Sequence, residues 1–296
     1  MICNICPRKC NIDRASARGF CGESETLRVA RIAPHHFEEP PISGTRGSGT
    51  VFFSGCSLKC VFCQNKVISR EGGRGKEMSA DELYCRILEL QESGVHNINL
   101  VTPTHFIGVL LPLLEKLKSS GELRIPIVYN SSGYERVETL RALDGLVDIY
   151  MPDFKYASGE LAERYSAAPD YPEIAEAALR EMIRQRGRYR YSTDEPDILE
   201  SGVLVRHLVL PSHRADSIEV LHRLRAIAEP EDILVSLMSQ YTPDFALDTP
   251  YKNLHRRLTS FEYSTVCAEA SSLGFVGFEQ QRDSSSVQYT PDFYGE

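Results

Sequence analysis

The chain has 296 residues, of which 42% are hydrophobic and 25% charged, and a net charge of −8. This is ordinary for a globular protein of one large α/β domain or two small ones, and the acidic balance argues against a general nucleic-acid binder while leaving a basic protein or peptide partner open. No apolar run approaches the ~20 residues a membrane helix needs, and the opening Met1–Cys10 lacks the apolar core of a signal peptide, so the expected location is the cytoplasm.

Residues 1–22 form a cysteine-rich opening, Cys3-x2-Cys6-x3-Cys10-x10-Cys21. Four thiols suffice for one zinc or one iron–sulfur cluster, and in a reducing compartment clustered cysteines more often mean metal than disulfides. Residues 23–47, with Pro34, Pro40 and Pro41, read as a connector that wraps the body, and His35 and His36 as solvated loop residues. From residue 49 short apolar runs alternate with helical patterns. The expected strands are 50–54, 98–101, 126–130, 147–151, 203–210 and 233–238, with a last short run at 275–278. A capping box, Ser79-Ala80-Asp81-Glu82, opens a helix that carries Leu83, Ile87 and Leu90 on one face and stops near Gly94. Further helices are expected over 105–119, with Pro112 as a kink or break, over 134–143, over 159–186 with an interruption at Pro169-Asp170, over 216–228 and over 262–273. Cys85 and Cys267 stand alone on helical patterns and read as small core residues. Strands and helices alternating at this spacing mean βαβ units around a parallel sheet; about six such units make a partial or complete barrel, with chemistry at the C-terminal strand ends.

The loop after the first strand carries Cys56-x3-Cys60-x2-Cys63. Three thiolates this close can hold three irons of a cubane [4Fe–4S] cluster, for which four would be the complete set. The fourth iron is then open to a ligand that is not protein. A structural zinc loop is the plain alternative, but such sites pair two knuckles across a long gap, and no fourth ligand follows Cys63 nearby. The later strand ends are Thr102-Pro103-Thr104-His105, Asn130-Ser131-Ser132-Gly133-Tyr134, Pro152-Asp153-Phe154-Lys155, Arg206-His207 within the fifth strand, and Ser239-Gln240-Tyr241. Each alone is turn or cap chemistry; together they fall on one rim. The hexapeptide Gln-Tyr-Thr-Pro-Asp-Phe occurs at 240–245 and again at 288–293, and the second copy is expected to fold the tail back onto the barrel through Tyr289 and Phe293.

The cysteine spacing, with Phe62 just before the third cysteine, resembles the signature of the radical S-adenosylmethionine (radical SAM) superfamily. The segments Cys56–Asn65, Tyr129–Tyr134, Asp148–Lys155 and Val203–Pro211, with the opening Cys-Asn-Ile-Cys-Pro-Arg-Lys-Cys, resemble its branch similar to pyruvate formate-lyase activating enzyme. The resemblance covers nearly the whole chain. It implies a partial (β/α)6-type radical SAM barrel over 48–280, preceded by the cysteine-rich segment and connector 1–47 and followed by a tail, 281–296, packed on the barrel. It implies that Cys56, Cys60 and Cys63 bind a [4Fe–4S] cluster and that S-adenosylmethionine (SAM) chelates the open iron. The backbone at Phe62 would meet the adenine. Asn130, Ser131 and Asp153 would lie near the SAM methionine or a cation beside it, and Lys155 and Arg206 near SAM or the substrate. Radical SAM proteins commonly carry Gly-Gly-Glu after the second strand to hold the SAM amine; here that place reads Thr102-Pro103-Thr104, so Thr102 and Thr104 are expected to supply the contact. Cys3, Cys6, Cys10 and Cys21 are expected to bind a second centre, zinc or iron–sulfur. The implied activity is reductive SAM cleavage to a 5′-deoxyadenosyl radical, fed by a low-potential electron donor, with hydrogen abstraction from a glycine of a partner protein, or else from a peptide or small molecule. From other classes, a non-catalytic iron–sulfur carrier or redox sensor would not need so many polar strand ends around one loop, and a zinc-stabilised interaction module would not need a missing fourth ligand at Cys56–Cys63.

Overall fold

A computed structural model describes residues 2–70, 74–279 and Phe293. The strands are β1 Arg28–His35, β2 Ser48–Phe53, β3 Lys76–Glu77, β4 Ile98–Val101, β5 Ile127–Ser131, β6 Ile149–Pro152, β7 Arg190–Tyr191, β8 Leu199–Leu208, β9 Leu234–Met238 and β10 Gly277–Glu279. The α-helices are α1 Pro40–Ser43, α2 Lys66–Ser69, α3 Ala80–Glu92, α4 Ile107–Ser120, α5 Val137–Arg141, α6 Gly159–Ser166, α7 Tyr171–Arg186, α8 Arg214–Ile227 and α9 Ser260–Ser272. The sheet runs β10-β9-β8-β6-β5-β4-β2-β1-β3. From β2 to β10 along this order every neighbouring pair is parallel, while β1 runs antiparallel to β2. The curved sheet is the open α/β barrel that the βαβ alternation predicts.

Strand alternation divides the apolar side chains between two faces. Val51, Leu100, Tyr129, Tyr150, Val205 and Leu237 join the large core that includes Leu83 and Ile87 of α3 and Leu110 and Leu114 of α4. Val128, Ile149, Met151, Leu204 and Leu234 gather on the other face around Ile42. A parallel sheet must be covered on both sides, and here the inner cover is α1. The capping box at the start of α3 is present as expected, with Ser79 Oγ accepting from Glu82 N at 3.1 Å, and a second one, Thr259 with Glu262, starts α9.

Several boundaries differ from expectation, each for a physical reason. The connector does more than wrap the body: β1 extends the sheet, and α1 places Ile42, fully buried, inside the barrel. His35 is half-buried against the rings of Phe37 and Phe52 rather than solvated. Pro112 does not interrupt α4, which runs unbroken from Ile107 to Ser120. The helix expected over 134–143 shrinks to α5, because Tyr134 turns inward to donate to Asp170 Oδ1 at 2.7 Å. β8 begins at Leu199, where the short β7 pairs with it as an antiparallel edge. Cys267 is buried in the core, but Cys85 is exposed on α3. The second hexapeptide lies outside the described residues apart from Phe293, whose ring meets Phe52 edge-on at 5.4 Å.

Candidate active site

The loop that follows β2 is fixed by backbone contacts to distant parts of the chain. Gly55 N donates to Ile68 O at 2.8 Å, Cys56 N to Cys21 O at 3.2 Å and Val61 N to Tyr165 O at 2.9 Å. Gly55 has φ +82°, and a Cβ there would stand 2.6 Å from Cys21 O, so this corner requires glycine on both counts. The three sulfurs face donors. Leu58 N lies 3.4 Å from Cys56 Sγ, Ser166 Oγ 3.0 Å from Cys60 Sγ and Ser69 Oγ 3.3 Å from Cys63 Sγ. Burial pushes the free Cys56 thiol up to about 12 and raises that of Cys63 as well. Metal ligation would therefore release their protons.

The three cysteines border a cavity of about 430 Å³. Its walls include Phe62, Thr102, Asn130, Ser131, Asp153, Lys155 and Arg206 from the strand ends, and also Glu38 and Glu39 from the segment leading into α1. Phe62 is buried, with its ring set against those of Tyr165 and Tyr241. Thr102 borders the cavity in a left-handed conformation, φ +58°, a sparsely populated state for a β-branched residue of the kind that clusters at functional sites. Thr104 does not border it: its hydroxyl donates to Glu135 Oε1 at 2.6 Å behind the rim. Burial there raises the Glu135 carboxyl to about 7, even against hydrogen bonds from Thr104, Tyr129 and Ser131.

The cavity floor is a charge network centred on Arg206. Register brings it together: Asp153 forms a parallel bridge with Arg206, and Phe154 N donates to Arg206 O at 2.8 Å. Arg206 Nε donates to Asp153 Oδ1 at 3.0 Å, Nη2 to Asn130 Oδ1 at 2.7 Å and Nη1 to Glu38 Oε2 at 3.2 Å, with Glu39 Oε2 at 3.9 Å. Lys155 Nζ holds the second oxygen of Asp153 at 2.6 Å. Burial alone would raise the Asp153 carboxyl, but the two cations outweigh it and hold it below the ordinary value. For Glu38 and Glu39 burial wins, and both are raised although Arg206 opposes the shift. These two glutamates are the site residues the sequence did not reveal. Their mark was faint: a paired acid before Pro40-Pro41 in a segment without periodic pattern.

A barrel with three clustered cysteines on the loop after its first parallel strand, opening on a polar cavity at the strand ends, defines a metallocofactor site of the three-thiolate type. The family model described as the radical SAM superfamily matches residues 50–198, about half of the chain, and the chain belongs to that superfamily. It is 30% identical over 290 residues to an uncharacterized protein of Methanocaldococcus jannaschii, a match that spans 93% of this chain and 76% of the relative. Among solved structures, a radical SAM methyltransferase from Sphaerobacter thermophilus aligns with a TM-score of 0.54 at 15% identity, covering 81% of this chain and 67% of that one. Streptococcus suis SuiB bound to precursor peptide SuiA aligns at 0.51 and 15% identity, covering 76% of this chain and 46% of that one. At these identities the two likenesses establish the fold. The family carries a [4Fe–4S] cluster and SAM, and the site suits them: the loop offers three thiols, each facing a donor, beside a cavity with both acidic and basic side chains. Among the described residues no helix is long and apolar enough to cross a membrane.

Proposed function

We propose that the protein uses Cys56, Cys60 and Cys63 to hold the cluster and cleaves SAM reductively for hydrogen abstraction from a substrate, a glycine of a partner protein. The observation that carries the reading is that the three thiols and the Asn130–Asp153–Arg206 network border one cavity. Held by Cys56, Cys60 and Cys63, a cluster reduced by a low-potential donor would supply the electron for cleavage of the carbon–sulfur bond of SAM. The chain's own residues bind, orient and shield. Asn130, Ser131 and Thr102 offer hydrogen-bonding groups to the methionyl end of SAM, Arg206 and Lys155 offer cations to its carboxylate, and Glu38 and Glu39 offer acceptors for its amine. The buried ring of Phe62 and the Phe52–Phe293 pair supply apolar wall that excludes water. The resemblance of the cysteine loop and Tyr129–Tyr134 to activating enzymes supports the glycine substrate. So does the cavity's edge at Phe37, which is 58% exposed, where a polypeptide loop can enter.

The test is anaerobic reconstitution with iron and sulfide, then dithionite and SAM. The expected products are methionine and 5′-deoxyadenosine; a reducible cluster with no SAM cleavage would make the protein an electron carrier. We further propose that Phe293 backs the cavity wall through its ring contact with Phe52. On that basis Phe293→Ala leaves the iron content unchanged and raises 5′-deoxyadenosine formation in the absence of substrate. An unchanged uncoupled rate would remove Phe293 from the mechanism.

A further inference from the structure

The cysteines of the opening stand apart from the apolar core clusters. Cys3, Cys6 and Cys21 are buried, yet among the described residues none of the four belongs to an apolar core cluster, unlike Cys60 and Cys267. They converge on one another. A Cβ at Gly19 would stand 3.5 Å from both Cys10 Sγ and Cys21 Sγ, so glycine leaves the space between two sulfurs open. Cys6 lies within electrostatic reach of Cys21 and Cys10, and Cys21 within reach of Cys10 and Cys3. The backbone bends to gather them: Asn11 N donates to Cys3 O at 3.0 Å and Lys9 N to Cys6 O at 3.1 Å. Lys9 and Asn11, on either side of Cys10, take left-handed conformations with φ +42° and +53°. Donors also turn to the sulfurs, with Phe20 N 3.3 Å from Cys10 Sγ and the Arg8 amide bonded to Cys6. All four are free thiols rather than disulfides.

The group is joined to the loop that carries the other three cysteines. Cys21 O accepts from Cys56 N at 3.2 Å. Arg8, two residues after Cys6, donates through Nε to Ser57 O at 2.7 Å and through Nη2 to Ser166 O at 2.9 Å, while its guanidinium covers the Phe20 ring at 4.0 Å. Ser166 is the residue whose hydroxyl faces Cys60 Sγ.

We propose that Cys3, Cys6, Cys10 and Cys21 ligate a second iron–sulfur cluster, held entirely by protein and packed against the loop that carries the first. Four thiolates are the complete ligand set of a cubane cluster, and the group sits against the loop that offers the other three thiols; a single zinc held by the same four thiols is the outcome that overturns the proposal. With four thiolates the second cluster has no open iron, so it binds no SAM and braces the Cys56–Cys63 loop through Cys21 and Arg8.

The test uses anaerobically reconstituted full-length protein. The parent should hold about eight irons per chain, and a Cys56/Cys60/Cys63 triple-Ala variant about four, with an EPR signal that SAM leaves unchanged. Cys10→Ser with Cys21→Ser should also retain about four, with a signal that SAM does alter. Zinc or no metal in the triple variant, with only about four irons in the parent, overturns the proposal. If the triple variant fails to fold, the parent's iron and sulfide count with its Mössbauer spectrum decides alone. SAM cleavage is not used as a readout, so failure of the proposed function leaves this result standing.

Discussion

Cys60→Ala abolishes reductive SAM cleavage and removes about four irons per chain. Among the three loop cysteines, Cys60 is the most deeply set, at 7% exposure, with Ser166 Oγ 3.0 Å from its sulfur and the Arg70 guanidinium on its carbonyl at 3.2 Å. These contacts shape a position for a sulfur ligand, and a methyl group supplies none. Two thiolates leave two irons of a cubane without a protein ligand, so the cluster and with it the SAM-binding iron are lost, and the effect on cleavage is loss rather than attenuation. The fold should survive, because the loop's backbone anchors at Gly55, Cys56 and Val61 do not involve the Cys60 side chain. Far-UV circular dichroism checks this, while 5′-deoxyadenosine is quantified after dithionite reduction. A Cys60→Ala protein that still releases 5′-deoxyadenosine would place the active cluster elsewhere.

What the sequence disclosed was local. The Cys56–Cys63 spacing, the capping box at Ser79 and the break between α6 and α7 depend on neighbours within a few residues, and the structure shows them where the pattern puts them. The rim was legible for a related reason: once strands alternate with helices, topology aligns the strand ends. Direction was not legible. Thr104 sits at a strand end as expected, yet its hydroxyl faces Glu135 rather than the cavity, and the choice is made by a buried carboxyl that needs a partner. The connector was the least legible segment. Glu38 and Glu39 gain a role only through Arg206, 168 residues from Glu38 along the chain, and Ile42 only through the inner faces of β5, β6, β8 and β9. The run Arg28-Val29-Ala30-Arg31-Ile32-Ala33 was a weak sign of β1, because its polar residues recur every three positions rather than every two. The entry of α1 into the barrel had no comparable local sign, since Pro40-Pro41 marks a turn as readily as a helix start.

Asp153→Asn weakens SAM binding and destabilises the protein together. Asp153 joins the two cations of the cavity floor, Lys155 at 2.6 Å and Arg206 at 3.0 Å, with its side chain only 13% exposed. Removing one partner from a buried ion pair costs about 3–5 kcal/mol, because the surviving charge loses its compensation. Arg206 keeps Glu38, at 3.2 Å, so its share of that loss is the smaller; Lys155 has no other ion-pair partner recorded among the described residues. The pH dependence follows from the sign of the shift. Asp153 is held below its ordinary value of 3.8, so its stabilisation is present above pH 3.8 and fades as pH falls through the lower folded value. In the variant that acid-side loss should be shallower, as read by urea unfolding of the cluster-free protein at successive pH values. SAM affinity, read by calorimetry on the cluster-loaded protein, separates the binding role from the structural one. Lower stability with an unchanged SAM affinity would make Asp153 a floor brace alone, and loss of both would place its carboxylate, through Arg206 and Asn130, in the SAM site.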